Sequence, residues 1–228
     1  MIIKEIGTYM LAKMENPGLS DQERKELAAL AKEELAEELT DMIDEADALA
    51  DPVVLFGICA VTDASAQSVT VGGVKVENAL VAEKLGEKKR CFPYIATCGT
   101  ALENWSLQYK DDLLTEYWAD EIKKKYLRKA IGALSEYLSE TYHLSGYRAA
   151  LNPGSRQEWP VSGQRELFAM LGGADFVREQ IGVTYTDSFL MLPTKTVSGI
   201  TFESETFYEN CQYCPLDDCP GRRAPRIR

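Results

Sequence analysis

The chain of 228 residues carries a single histidine, His143. A metal site that needs two imidazoles is therefore excluded, and a triad of the Ser-His-Asp kind would have one base to draw on. No stretch approaches the run of about 20 apolar residues that a membrane span requires. The N-terminus also lacks the charged start and apolar core of a secretory leader. Base is scarce beside acid, with 25 Lys and Arg against 36 Asp and Glu and a formal charge of −11. Such a surface repels phosphate backbones and anionic lipid, so the expectation is no nucleic acid, no membrane and a cytoplasmic location. There is no internal repeat, no low-complexity linker and no phosphate-binding glycine loop.

What is present is enough apolar material for one good-sized core, since 45% of the residues are hydrophobic. One domain over residues 1–204 with an appendage over 205–228 is the expected organisation. The charge is uneven: eleven acids face three bases between Ser20 and Leu49, and the last seven residues hold four arginines. The acidic run reads as a solvated helix face.

Local signals place most elements. After a segment ending at Asn16-Pro17-Gly18, Ser20 and Glu23 have capping-box spacing, and the apolar stripe from Leu27 to Leu49 predicts one long helix laid against a sheet. Val53 to Val61 is apolar throughout and is the candidate central strand. Val69-Thr70-Val71 and Val74-Lys75-Val76 alternate about Gly72-Gly73, which predicts a hairpin with four valines on one face. A short helix over Asn78–Leu85 and a strand over Cys91–Gly99 follow. A helical region starts at Leu102, with a second piece capped by Asp111 or Asp112 running to about Tyr142. Short runs split by Pro and Gly between Ile181 and Phe202 predict paired strands. These elements make an α+β fold, a twisted, mainly antiparallel sheet packed with long helices.

The most unusual stretch lies between Tyr147 and Phe202. Arg148 precedes the turn Asn152-Pro153-Gly154-Ser155, Trp159-Pro160 leads into Gln164-Arg165-Glu166-Leu167-Phe168, and Ile181-Gly182 leads to Thr186-Asp187-Ser188, Met191, Pro193 and Val197-Ser198-Gly199. In that order these pieces resemble the S-adenosylmethionine-binding activation domain of cobalamin-dependent methionine synthase and its free-standing relatives. The family's loop carries Tyr where this chain has Ser155, and the Arg148-to-Gly154 spacing is longer than in the synthase.

The resemblance implies S-adenosylmethionine binding at the Arg148–Gly154 loop, with Asn152, Pro153, Gly154, Ser155, Tyr185, Asp187 and Ser198 as contact candidates. A guanidinium such as that of Arg148 holds a carboxylate through two parallel hydrogen bonds, and a Pro-Gly pair leaves the backbone open to a ligand. It further implies a corrinoid-binding protein or methyltransferase as partner, with an electron donor, and a role in reductive methylation of the corrinoid. Thr141-Tyr142-His143-Leu144-Ser145-Gly146 partly mimics the Asp-x-His-x-x-Gly cobalt-ligating motif. Threonine stands where that motif has its aspartate, so the corrinoid is expected on the partner alone and His143 is read as a helix C-terminal residue.

Cys211, Cys214 and Cys219 form C-x2-C-x4-C, a spacing that suits an iron-sulfur cluster or zinc, with Cys98 or Cys91 as fourth ligand. The alternatives are a tail of free thiols and, for the whole chain, an iron-sulfur electron-transfer or docking module without S-adenosylmethionine binding. Cys59, inside an apolar run, reads as core.

Overall fold

The computed structural model describes residues 1–14, 18–144, 146–214, 216, 218, 219 and 222–227. Asn16 and Pro17 of the N-terminal segment and Ser145 of the cobalt-motif mimic lie outside them. In chain order the first elements are β1 (Ile2–Ile6), β2 (Tyr9–Lys13), α1 (Asp21–Ala28), α2 (Ala36–Leu49), β3 (Val53–Gly57) and β4 (Cys59–Thr62). Next come β5 (Val69–Val71), β6 (Val74–Val76), α3 (Ala79–Leu85), β7 (Arg90–Thr97), α4 (Thr100–Ser106) and α5 (Leu113–Tyr142). The last are β8 (Tyr147–Leu151), α6 (Gln164–Met170), α7 (Ala174–Ile181), β9 (Thr184–Tyr185), β10 (Met191–Leu192) and β11 (Thr196–Ser204). The fold is α+β, and every strand pair is antiparallel.

Strand β7 is the axis of the sheet. Thr97 pairs with Val53 on one edge and with Thr196 on the other, so β3 and β11 flank it. The apolar run beginning at Val53 shares the centre with β7. It is not one uniform strand, because it bends at Ile58, whose side chain is exposed. Before the bend it pairs with β2, and after it with β5, while β7 stays alongside both halves. The β5–β6 hairpin turns at Gly72 and Gly73 with φ of 56° and 84°, the double left-handed turn that matches strand twist. Val69 opposes Val76 and Val71 opposes Val74, as the alternation predicts.

The two faces of the sheet are covered differently. Leu55, Ile95, Leu151, Ile200 and Phe202 pack with α3, α6 and α7. Val54, Phe56, Phe92, Tyr94 and Ala96 pack under Leu127, Leu134 and Leu138 of α5. Helix α5 begins at Asp112, whose carboxylate accepts from the Leu114 and Thr115 amides at 2.9 Å each. At 30 residues it is about 45 Å long, which takes its first half beyond the sheet. There Trp118, Ile122 and Tyr126 form a separate core with α1, α2 and α4.

The long helix expected after Ser20 is broken. The Ser20–Glu23 capping box forms as the spacing predicts, yet α1 stops at Ala28 and α2 starts at Ala36. The reversal lets both helices bury apolar residues against α5. It also brings Arg24 to Asp44 at 2.7 Å, and the Asp47 carboxylate to the Leu19 amide at 2.9 Å. Leu39, Met42, Ile43 and Ala46 of α2 pack on other helices and not on the sheet. A continuous helix would carry one half of that stripe into solvent. Among the described residues no helix is long and apolar enough to cross a membrane.

Candidate functional site

Arg148 is not on a loop but on β8, opposite Glu203 of β11. Ala149 and Leu151, which follow it at alternate positions of the strand, turn into the α6–α7 core, so Arg148 points to the α5 face. Its Nη1 donates to the Ser135 carbonyl at 2.6 Å and to Ser139 Oγ at 2.8 Å, and its Nη2 donates to Ser135 Oγ. These described bonds all go to neutral oxygens and use three of the five guanidinium donors. Burial against α5 holds its pKa below the ordinary arginine value.

The turn after β8 is organised by Asn152. Its amide Nδ2 donates to the Ser198 carbonyl at 2.7 Å and to the Tyr94 hydroxyl at 3.1 Å. The amide crosses directly over Gly199, where a Cβ would sit 2.5 Å from Nδ2, so only glycine fits there. Ser198 itself is buried, and its hydroxyl donates to Gln164 Oε1 at 2.7 Å, tying β11 to α6. Gly154, at φ 81°, donates its amide to the Trp159 carbonyl at 2.9 Å. Ser155 Oγ donates back to the Asn152 carbonyl at 2.6 Å. Asn152, Ser155 and Ser198 therefore spend their side chains shaping the turn, and Pro153 and Gly154 present backbone.

Tyr185 and Asp187 stand elsewhere. They belong to the β9–β10 hairpin, which leans on α6 through Tyr185 against Phe168 and Arg165 against Phe189. Among the described residues no hydrogen bond or ring contact joins either to the Asn152 turn. The hairpin is instead secured to the helical layer. Thr194 donates its amide to Glu103 Oε1 at 3.1 Å, and buried Lys123 donates to Glu103 Oε2 at 2.9 Å, to Ser106 Oγ at 2.9 Å and to Thr194 Oγ1 at 3.2 Å.

The tail leaves the sheet after Ser204 and folds back onto the turn. Asn210, 5% exposed, donates its amide to the Ala150 carbonyl at 3.0 Å and to Asn152 Oδ1 at 2.8 Å. Tyr208 donates to Asn210 Oδ1 at 3.0 Å and stacks on Tyr213. Arg156, paired with Glu158, lies 4.2 Å above the Tyr213 ring. None of Ser135, Ser139, Tyr94 or Asn210 stands out in sequence, because no local pattern marks a side chain whose partner lies on another element, 9 to 60 positions away.

Cys211, Cys214 and Cys219 share one loop, and all three carbonyls accept from Arg222. The bonds run from Nη1 to Cys211 at 2.6 Å, from Nη2 to Cys214 at 3.2 Å and from the amide to Cys219 at 3.0 Å. Among the described residues no three His, Cys, Asp or Glu side chains are placed to hold a metal ion. Spacing is thus the whole support for a cluster or zinc here. Cys98 does not fit as fourth ligand. It is fully buried among α1, α2, α4 and α5, and burial pushes its thiol pKa up to about 12. Cys91 is equally buried, beside Cys59 on the α3 face. His143 ends α5 at φ 50° with its side chain exposed, the helix-terminal position expected of it.

No protein-family model and no curated protein matches the chain. Among solved structures it is similar to the crystal structure of the MetH reactivation domain bound to AdoHcy, with TM-score 0.59 and 14% identity. The match covers 88% of this chain and 81% of that one. The likeness establishes that the two share a fold.

Proposed function

We propose that this chain binds S-adenosylmethionine beside Arg148 and the Asn152–Ser155 turn. It presents the methyl group to a corrinoid carried by a partner protein or methyltransferase, so that reduction by a separate electron donor and methylation together restore the methylated corrinoid. The reading is carried by one observation, the fold shared across 88% of the chain with a domain that holds AdoHcy. The ordered motifs from Arg148 to Gly199 add to it.

The residues at the turn suit such a ligand. Arg148 keeps Nε and one Nη2 hydrogen uncommitted among its described contacts, and these can grip a carboxylate. A guanidinium whose described bonds all go to neutral oxygens gains more from an incoming anion than one already paired. Asn152, Ser155 and Gly199 hold the turn rigid, so a bound ligand meets a preformed surface. Methyl transfer by in-line displacement needs alignment of donor and acceptor more than an acid or base, and positioning is what this chain supplies. With threonine in place of the cobalt-ligating motif's aspartate two positions before His143, the corrinoid is assigned to the partner.

Titration calorimetry with S-adenosylmethionine tests the reading. Saturable binding of one ligand per chain is expected. Absence of binding at millimolar ligand would overturn it.

A further inference from the structure

The tail is docked through a small set of specific contacts and little apolar surface. Tyr208 and Asn210 are 7% and 5% exposed. Asn210 occupies the carbonyl of Ala150 and the side-chain oxygen of Asn152. Arg156 clamps Tyr213 from the other side of the turn, and its Nη1 also reaches the Tyr208 hydroxyl at 3.4 Å. Beyond Tyr213 the loop is gathered on Arg222 through backbone carbonyls, and of its described residues only Ala224 is buried. Two cavities of about 420 Å³ open elsewhere, one at Lys88–Phe92 and Leu144 and one over the acids of α2. Neither is lined by Arg148 or by the Asn152–Ser155 turn.

We infer that the tail segment 205–214 is an intramolecular lid, latched by Asn210 and Tyr213, that holds the Asn152 side of the turn and must lift before a ligand can engage the whole turn. The inference rests on the S-adenosylmethionine reading above and adds a regulation of that site. The physical basis is competition. The groups that Asn210 satisfies are the Asn152 side chain of that turn and the Ala150 carbonyl of the strand leading into it, and a tail with so little buried apolar area opens at modest cost. Closure lowers apparent affinity in proportion to the fraction of molecules that are open. Cys211 and Cys214 directly follow the latch residues Asn210 and Tyr213, so their reactivity reports its opening.

The test uses the full chain and two variants that break different latch contacts, Asn210→Ala and Tyr213→Ala. Tyr213 is 40% exposed, so its replacement leaves the core intact even if Asn210→Ala perturbs folding. S-adenosylmethionine affinity is measured by calorimetry, and alkylation of Cys211 and Cys214 by iodoacetamide is followed by peptide mass spectrometry. The lid predicts affinity tighter on the order of tenfold in both variants. It also predicts faster alkylation of both thiols in wild-type protein when S-adenosylmethionine is added. Wild-type binding with unchanged or weaker affinity in the variants, or alkylation slowed by ligand, overturns the lid and makes the tail a wall of the site. Absence of binding in wild type and both variants overturns the ligand reading itself, and the lid with it. Binding in the variants alone supports both.

Discussion

The guanidinium of Arg148 on β8 donates to the hydroxyl of Ser139 on α5 at 2.8 Å, so the residue that the motif marks as a ligand contact also ties the edge strand to the longest helix. Its replacement therefore has two separable effects. Arg148→Ala is expected to weaken S-adenosylmethionine binding by roughly ten- to hundredfold, the loss of about 1.5–3 kcal/mol of charge-assisted bonding. It should also lower stability by about 1 kcal/mol through the lost bonds to α5. Arg148→Lys should recover part of the affinity, since an ammonium lacks the planar fork. The double variant Ser135→Ala, Ser139→Ala should lower stability while keeping most of the binding. Calorimetry and urea denaturation on the same preparations separate the two effects, and Arg148→Ala with wild-type affinity would discard its ligand role.

Lys123, buried, and Glu103, partly buried, form an ion pair that joins α4, α5 and the segment after β10. Lys123→Met strands the Glu103 carboxylate and should cost about 3–5 kcal/mol, whereas Lys123→Met with Glu103→Leu should restore much of it. Burial would raise the Glu103 pKa, but the bonds from Lys123 and Thr194 outweigh it and the net value is lowered. The pair's contribution is thus complete above the ordinary glutamate pKa of about 4.3 and is lost as pH falls through the lower folded value. Urea midpoints measured between about pH 2 and 6 should show that acid-side loss, and Glu103→Gln should flatten it.

The two glycines of the β5–β6 turn are not equivalent. A Cβ on Gly72 would sit 2.7 Å from Cys59 Sγ, while one on Gly73 meets nothing within 4 Å. Asparagine tolerates the left-handed backbone at both positions. Gly73→Asn should therefore change stability by less than about 1 kcal/mol, and Gly72→Asn should cost about 1–3 kcal/mol by overpacking. Equal melting temperatures for the two variants would contradict the placement of Cys59 beneath the turn.

The six cysteines should divide into two classes. Cys59, Cys91 and Cys98 are buried, with Cys59 pushed up to about 11 by burial and Cys98 to about 12, whereas Cys211, Cys214 and Cys219 are half-exposed. Titration with a chromogenic disulfide under native conditions should count three fast thiols, and three more after denaturation. A metal on the tail would instead silence the three fast thiols until a chelator is added. Cys98→Ser should leave the fast count unchanged either way.

Much of the fold is legible in short stretches of sequence. The Ser20–Glu23 box, the Asp112 cap and the Gly72-Gly73 turn each depend on residues within a few positions, and all form as read. The periodicity of α5 likewise survives, because the same stripe serves two cores in succession. The stripe from Leu27 to Leu49 was misleading for the same reason: it records which residues are buried, not whether the helix stays in one piece while burying them.

At the candidate site the sequence alone picks out the turn, through Pro153, Gly154 and the distant Ser198-Gly199 that packs against it. What each side chain does there is decided by strand pairing and layer packing. Pairing with β11 puts Arg148 under α5 and brings Gly199 beneath the Asn152 amide; the folded-back tail delivers Asn210 to the same turn; and the helical layer closes over Cys98. A local pattern reports propensity and burial within a few residues. Which donor meets which acceptor across 13, 46 or 58 positions depends on how distant elements exclude water together, and only the tertiary structure decides that.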